Sequence, residues 1–400
     1  MSLEYSIYPQ SLSAELEKNP NVKINLHNVA AIRLSEISTI REIEKIKEEW
    51  RKLFLKSSGA SPFQSWEWNY AIAKEFTSSE KIKIIAGYDN GNNIVGIAPL
   101  KLTSCKFPAV KILEFIGNGF SDYLDFLVKE EYTFTFIKTL LNYIKSTDDW
   151  SIINFTNLRE ETRNILARYL PAEISPQAVC PCVSLPDTMQ EYEREVHKRE
   201  LNSIKRQLRK LLPQNRLTYK VKESPENLSE YIDSFMELHQ KRHNSKGELG
   251  KFFTKARKEK FQELSKLLCE AGMLRIEMLE IDSQLAAINF MLEWNNKKYN
   301  YLSGMNSAFS NLKPGKILIY YMIQDAIKKG CRVFDFLQGD EDYKYFWTNK
   351  EIQLYSAVYS RSDICYFLWK KISEFKKKLK QSVMLKKSCL VFLRLFNVSL

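Results

Sequence analysis

The chain of 400 residues is long enough for two ordinary domains, and 44% hydrophobic and 12% aromatic residues indicate well-packed cores. Glycine and proline are scarce, at 13 and 12 residues, which excludes a collagen-like or low-complexity chain. The first residues lack the pattern of a secretory signal, and no apolar run reaches the roughly 18 residues of a membrane-spanning helix. Seven irregularly spaced cysteines fit reduced thiols better than a disulfide framework, so we expect a cytoplasmic protein.

The net charge of +12 is concentrated in two stretches of the chain. Residues 194–222 hold ten Lys and Arg against two Glu, and residues 363–400 hold nine against two acidic residues. Basic stretches of this kind bind nucleic acid, acidic lipid head groups or phosphorylated small molecules, or they form a solvated helix face. The rest of the chain is slightly acidic, so we expect any charge-driven binding at these two places.

Residues 1–186 are predicted to form a first lobe of helices and strands. Thr39 is placed to cap a helix whose apolar residues recur at spacings of three and four. The tripeptide Asp89-Asn90-Gly91 between two apolar runs is a strong hairpin signal. We predict strands over 29–34, 81–88, 93–103, 110–116, 123–128, 150–155 and 178–185, and further helices over 63–76, 133–145 and 160–170.

Residues 214–362 follow the same plan and are predicted to form a second lobe. Helix, helix, hairpin, strand, helix and strand occur twice in this order, which indicates an internal structural repeat. Between the lobes, the basic residues 187–213 are predicted to form one long linking helix. We predict second-lobe helices over 228–239, 255–270 and 314–330, and strands over 273–281, 284–294, 298–304, 331–337 and 352–360.

Five short motifs stand in a defined order along the chain. They are FQSWEW at 63–68, SDYLDF at 121–126, LHQKR at 238–242, LKPG at 312–315, and FDFLQGDEDYK at 334–344, which is followed by Trp347. Their order and separation over roughly residues 40–360 resemble the CelD-type acyltransferases of polysaccharide biosynthesis, a branch of the GNAT superfamily related to the FemAB peptidyltransferases. The resemblance implies an α/β fold of tandem GNAT-like lobes, with central mixed sheets flanked by helices.

The same resemblance implies a reaction and the lobe that performs it. An acyl group passes from a thioester to an amine or hydroxyl of a small-molecule or lipid-linked sugar, or of another cell-envelope precursor. The second lobe, residues 214–362, is then the catalytic one. A non-catalytic GNAT-like scaffold in a polysaccharide-synthesising assembly is an alternative of a different class, because a fold does not guarantee an activity.

The start of the helix predicted at Pro314 is the candidate donor site. The resemblance implies that this helix end holds the pyrophosphate of coenzyme A, and free N–H groups there suit phosphate. Lys313 and Lys316 flank the place, and Gly315 allows close approach of a ligand. The ordinary GNAT loop Q/R-x-x-G-x-G/A does not occur in the sequence, and the FemAB relatives that also lack it take aminoacyl-tRNA. We expect acyl-CoA as co-substrate, with no tightly bound cofactor, and aminoacyl-tRNA as the alternative donor.

The loop that follows the strand predicted over 331–337 is the candidate catalytic segment. Acyl transfer needs a base for the proton of the attacking group and a donor for the developing oxyanion. Asp340 is the candidate base, and Tyr343 and Lys344 are candidates for stabilising negative charge. An exposed acidic loop closed by aromatic residues is the structural alternative.

The acceptor is expected to enter between the lobes. Asp122 and Tyr123 of the first lobe and His239 and Arg242 of the second are the candidate acceptor-binding residues. His239 and His243 share a helix face at a spacing of four, but no third ligand stands near them in the sequence. We therefore expect no metal site.

The tail, residues 363–400, begins with a segment typical of a basic amphipathic helix. A second apolar stretch, 389–396, is too short to span a bilayer. The helix either lies on an anionic membrane surface, close to a lipid-linked acceptor, or packs its apolar stripe on the second lobe. The stripe consists of Cys365, Leu368, Trp369, Ile372, Phe375 and Leu379.

Overall fold

The computed structural model describes residues 32–105, 109–245, 252 and 254–381, and they form mixed β-sheets flanked by helices, which confirms the predicted α/β class. Most predicted helices are present with shifts of a few residues at their ends. Their bounds are α1 (Ile40–Lys45), α2 (Lys47–Lys56), α3 (Trp66–Ala73), α4 (Thr133–Ser146), α5 (Glu160–Tyr169), α6 (Met189–Glu195), α7 (Lys198–Leu211), α8 (Leu228–Ser245), α9 (Lys255–Glu270), α10 (Pro314–Lys328) and α11 (Asp363–Gln381).

The described strands form a small sheet and a large one. The small sheet has the order β1-β3-β4-β7, and the large one β10-β11-β12-β13-β14-β9-β15-β8-β6-β5-β2. The predicted opening strand over 29–34 lies partly outside the described residues. The strands are β1 (Arg33–Ile37), β2 (Glu80–Ile82), β3 (Ile84–Tyr88), β4 (Ile94–Ala98), β5 (Leu100–Cys105), β6 (Val110–Phe115), β7 (Leu127–Val128), β8 (Ile152–Leu158), β9 (Glu173–Ser184), β10 (Leu217–Lys222), β11 (Leu274–Ile281), β12 (Gln284–Trp294), β13 (Lys297–Met305), β14 (Val333–Asp335) and β15 (Glu351–Ser360).

Strand β9 joins the two halves of the chain into one sheet. Its residues up to Pro181 pair with β15, and the following residues pair with β14. Residues 351–360 fall within the predicted second lobe, whereas β15 lies between β8 and β9 of the first. The physical reason is strand pairing, because β15 supplies both β8 and β9 with an antiparallel neighbour that their edges would otherwise lack.

The two strands predicted over 81–88 and 93–103 are each divided into two shorter strands, and the two breaks lie next to each other in the sheet. Pro99 lacks an N–H group and separates β4 from β5, while Lys83 separates β2 from β3. The N–H of Lys83 donates to the carbonyl of Leu100, so the break occurs at the same level in both strands. The hairpin thereby serves both sheets, with β3 and β4 in the small one and β2 and β5 in the large one.

The linking segment is two helices rather than the one predicted. Helix α6 ends at Glu195, Val196 is extended, and α7 begins at Lys198. The apolar spacing explains the break, because buried Val196 and Leu201 are five residues apart and would lie on different faces of a continuous helix. The interruption brings both residues into the core beneath α10.

The two lobes pack directly on each other. The rings of Phe54 and Trp294 stack at a centroid distance of 4.3 Å. Helix α3 of the first lobe lies against α9 of the second, and Lys74 pairs with Glu263 across this contact at 2.5 Å. The facing surfaces share one hydrophobic core, so neither lobe is simply tethered to the other.

Helix α11 packs on the first lobe instead of the second. Cys365 and Trp369 contact a small core formed by β6 and β8. The side chains of the predicted stripe residues Phe375 and Leu379, and the apolar stretch 389–396, lie outside what the structure describes. Among the described residues, no helix is both long and apolar enough to cross a membrane.

A network of buried charges fixes α10 to the second-lobe strands. The ammonium of Lys298 is fully buried, 2.8 Å from the carboxylate of Glu277 and 2.6 Å from that of Asp325 on α10. Arg275 lies 3.1 Å from the same Asp325 carboxylate. Buried charges require such pairing, since an isolated one would be strongly destabilising.

Replacing Lys298 with Met should therefore lower the free energy of unfolding by about 3 kcal/mol or more, because Glu277 and Asp325 lose their shared cation. Lys220→Met is the matched control, since Lys220 is half-exposed and pairs with Glu280 on the adjacent strand. The control substitution should lower the free energy of unfolding by about 1 kcal/mol or less. Urea unfolding followed by circular dichroism measures both, and equal losses would show that the network does not hold α10.

Candidate active site

Two neighbouring parallel strands of the second lobe separate and leave part of one edge open. Strands β13 and β14 pair for three residues, ending at Tyr299 opposite Asp335. Beyond this point, Phe336 and Gly339 donate backbone hydrogen bonds to Pro181 and Val179, so the chain follows β9 instead. Within the described residues, no strand pairs with β13 on that side from Asn300 onwards. A strand edge that lacks a neighbouring strand is a place where an extended ligand can be added to a sheet.

The separation depends on a sharp turn at the end of β14. Leu337 has a φ of 58°, a conformation that branched apolar side chains rarely adopt. One carboxylate oxygen of Asp335 accepts a hydrogen bond from the N–H of Leu337 at 2.7 Å. The Asp335 side chain therefore stabilises the strained residue that redirects the chain.

The candidate catalytic loop is organised around a buried ammonium group. Lys344 Nζ donates to the carbonyls of Leu337, Gln338 and Gly339 at distances of 2.8–3.2 Å and lies 2.9 Å from the Glu341 carboxylate. The side chain is 3% exposed. Because its donors face these oxygens, Lys344 holds the loop together, and direct contact with a substrate would require it to give up one of them.

Gly339 is required at its position for two reasons. Its φ of 124° is open to glycine and strained for other residues. A Cβ there would also overlap a Glu341 carboxylate oxygen and lie 3.0 Å from Lys344 Nζ. The turn presents Asp340 at the surface, so the candidate base is exposed next to a rigid loop.

A buried hydrogen bond joins the lobes beside this loop. The Tyr123 hydroxyl donates to the second carboxylate oxygen of Asp335 at 2.7 Å. Burial raises the pKa of Asp335 to about 6, although the hydrogen bonds from Tyr123 and Leu337 oppose the increase. The same burial raises the pKa of Tyr123 well above its ordinary value. Arg159 lies over the Tyr123 ring at 4.6 Å.

Tyr301 lies on the open edge of β13. The pairing of β12 and β13 shifts between Phe290 and Met291, which leaves Tyr301 in a bulge. Its hydroxyl donates to the carbonyl of Phe120 in the first lobe at 2.7 Å. Burial, and secondarily the negative charge of Asp122, raises the pKa of Tyr301, so the half-buried Asp122 belongs to the same interlobe surface.

The two candidate acceptor residues of α8 lie on the second-lobe side of this surface. Nδ1 of the buried His239 lies 2.9 Å from the carbonyl oxygen of Ser303 on the open part of β13. The positive charge of Arg242 acts on Tyr343, where it opposes the burial and the Glu341 charge that together raise the phenol pKa to about 12. The structure thus brings Arg242 of α8 close to the candidate catalytic loop.

The candidate donor residues are engaged with the linking helix α7. Lys313 Nζ donates to the Ser203 hydroxyl at 3.0 Å, and Lys316 Nζ lies 2.5 Å from the Glu200 carboxylate. Lys316 also lies 3.9 Å above the ring of Phe346, next to the catalytic loop. A Cβ on Gly315 would lie 2.8 Å from the Met305 sulfur, so this glycine permits close packing against the end of β13. A role of these three residues in donor binding stays a prediction.

Sequence reasoning missed two contributors to this site. Tyr301 carries no sequence signal, because the bulge in which it lies arises from strand pairing. Asp335 gives a partial signal, since a carboxylate between apolar strand residues needs a buried partner. In the part of the chain that the structure describes, no cluster of three or more metal-ligating side chains occurs.

Comparison with known proteins places the second lobe in a recognised domain class. Residues 198–345 match the family described as Acetyltransferase (GNAT) domain. This range contains α7, the open edge of β13, α10 and the loop around Lys344. No curated protein matches the chain.

This chain matches several solved structures over nearly the whole length of those structures. The crystal structure of FemX matches with 12% identity over 84% of this chain and 99% of its own, at a TM-score of 0.60. L-PGS from Bacillus licheniformis matches with 10% identity over 80% and 94%, at 0.54. The C-terminal domain of a putative lysylphosphatidylglycerol synthetase from Agrobacterium fabrum matches with 12% identity over 82% and 95%, at 0.53.

Residues 198–345 are therefore similar to a GNAT-type acetyltransferase domain, and the fold of the chain is similar to that of FemX. This confirms the GNAT-like fold expected from the five motifs. Membership of the CelD-type branch and the internal repeat stay predictions.

The buried Asp335 gives a testable dependence of stability on pH. Its pKa rises from an ordinary 3.8 to about 6 on folding, so the folded protein holds a proton that the unfolded chain releases. This contribution to stability is complete below about pH 4 and is lost as the pH rises through about 6. Between about pH 4 and pH 6, the free energy of unfolding of the wild type should fall by about 2–3 kcal/mol relative to that of Asp335→Asn. Urea unfolding at each pH measures both.

Tyr123→Phe serves as the control for this experiment. It keeps the titrating carboxyl and removes a hydrogen bond that favours the ionised form, so its pH dependence should be at least as steep as that of the wild type. Parallel curves for the wild type and Asp335→Asn would show that the carboxyl does not titrate in this range.

Proposed function

We propose that the protein is an acyltransferase that moves an acyl group directly from an acyl thioester to an amine or hydroxyl. The observation that supports this most strongly is the open edge of β13 inside the GNAT-type domain. The amide groups of an extended pantetheine arm are complementary to the backbone of a strand edge, as in the addition of a strand to a sheet. Acyl-CoA is the co-substrate under this proposal.

The roles of the loop residues follow from their positions. Asp340 is exposed and is proposed as the base that takes the proton of the attacking group. Tyr343 is proposed to donate to the developing oxyanion, since its raised pKa keeps the phenol protonated at neutral pH. Lys344 is proposed to act through the loop whose carbonyls it binds, as a positioning residue.

The acceptor is proposed to be a sugar or another cell-envelope precursor, free or linked to a lipid. Asp122, Tyr123, His239 and Arg242 would bind it, since they lie near the open edge and the loop. One of the similar structures, from Agrobacterium fabrum, carries the name putative lysylphosphatidylglycerol synthetase, which denotes a lipid product. That name supports a lipid-linked acceptor.

Asp340→Asn should lower kcat by about 100-fold or more if Asp340 is the base, with little change in KM for the donor. Asp342→Asn is the matched control, because Asp342 is an equally exposed carboxylate in the same loop. Release of free thiol from a panel of acyl-CoA compounds, with amino sugars as acceptors, measures turnover. The proposal fails if the wild type neither binds nor consumes any acyl-CoA, and the base assignment fails if both variants lose the same activity.

A second donor, aminoacyl-tRNA, is supported by the surface of α7. Lys198, Arg199, Arg206 and Arg209 are exposed on this helix, which packs beside the start of α10. A row of exposed cations next to the donor site suits the phosphate backbone of RNA.

Under this alternative, binding of tRNA should weaken steeply as salt increases. The double variant Arg199→Ala, Arg206→Ala should reduce the slope of log affinity against log salt by about one for each RNA phosphate that is no longer neutralised. Filter binding over a range of salt concentrations measures it. Lys52→Ala on α2 is a control for the removal of an exposed charge elsewhere on the surface. Absent or salt-independent binding would exclude tRNA as the donor.

A further inference from the structure

Helix α11 has two apolar sides, and the protein covers one of them. Cys365 and Trp369 face the first lobe, where they pack against a small core that includes Ile112 and Ile152. Lys370 on the same helix lies 3.0 Å from Glu173 at the start of β9. These contacts fix the orientation of the helix, so its opposite side faces away from the protein.

The outward side presents three large apolar residues next to each other. Ile364, Phe367 and Leu368 are 74%, 59% and 42% exposed. Their spacing of three and four places them on one helix face. Among the described residues, the other large exposed hydrophobic side chains are Leu55, Phe120 and Leu212, which lie far apart in the sequence. Adjacent exposed apolar residues indicate a binding surface, whereas isolated ones do not.

Lysine also belongs to this face, and the tail that contains the helix is basic in sequence. Lys371 continues the same face, with its ammonium 5.5 Å from the centre of the Phe367 ring. Residues 363–400 as a whole hold nine Lys and Arg against two acidic residues. An apolar face with basic residues beside it suits a surface that offers both hydrocarbon and negative charge.

We propose that the outward face of α11, consisting of Ile364, Phe367, Leu368 and Lys371, binds the surface of a membrane that contains anionic lipids. The apolar side chains would enter the level of the head groups, and the lysines would attract the lipid phosphates. Residues 382–400 are a poor candidate for covering this face themselves. They contain three basic residues and no acidic one, and the helix is already basic. A second copy is a poor match for the same reason, since two basic helices would face each other.

The test uses the full chain and flotation with vesicles. Vesicles of phosphatidylcholine mixed with phosphatidylglycerol should bind the protein, and vesicles of phosphatidylcholine alone should bind it at least about tenfold more weakly. The double variant Phe367→Ser, Leu368→Ser should lose about tenfold or more of the binding to the mixed vesicles. Lys371→Glu should weaken this binding and make it less sensitive to salt.

Leu55→Ser is the matched control, since Leu55 is 68% exposed on α2, far from α11 in the sequence, and belongs to no apolar cluster. It should bind vesicles as the wild type does. Thermal unfolding by circular dichroism should give the same midpoint for the double variant and the wild type, because the replaced side chains face away from the core.

Three outcomes would overturn the proposal. They are no binding of the full chain to mixed vesicles, equal loss of binding in Leu55→Ser, and a concentration-dependent dimer that the double variant abolishes, which would assign the face to a second copy. The proposal rests on α11 and is independent of the transferase reaction. Thiol release from acyl-CoA with a water-soluble acceptor should be unchanged in the double variant, so failure of either proposal can be recognised separately.

Discussion

The geometry of the candidate site depends on the shared strand β9. Because β14 must continue along β9 through the backbone of Phe336 and Gly339, it cannot remain beside β13. The open edge, the turn at Leu337 and the loop around Lys344 all follow from that divergence. Without this first-lobe strand, β14 would have no partner to draw it away from β13, so the first lobe takes part in building the candidate site.

Cations in this protein serve two separate purposes that the net charge alone does not distinguish. Lys298 and Lys344 are buried and paired, and each fixes one element of the second lobe in place. Exposed cations such as Arg199, Arg206 and Arg209 lie on α7, where they meet solvent. Burial makes pairing obligatory, whereas exposure leaves a charge free to meet a ligand. The sequence distinguishes the two groups mainly by the apolar or polar character of their neighbours.

The sequence was sufficient for most helices and strands of the fold and insufficient for the way the lobes are joined. Apolar periodicity identified α9 and β12 with the observed ends, because their patterns are long and regular. The start of β9 was predicted too late, since Pro176 argues against a strand, and the structure accommodates it beside a shift in pairing with β15. The candidate loop could be identified by its charged residues, but the hydrogen bonds of Lys344 with three carbonyls depend on tertiary structure.

The position of β15 has a consequence for how the chain is made. Strands β8 and β9 are synthesised early, yet the strand that belongs between them comes about 170 residues after β9. At ordinary rates of translation this is a delay of roughly ten to thirty seconds. During that time two long strands have unpaired edges, which are sites for aggregation or for binding by chaperones. The first lobe is thus completed only when β15 is made, although most of its sequence comes earlier, and a frameshift before β15 would leave its sheet unfinished.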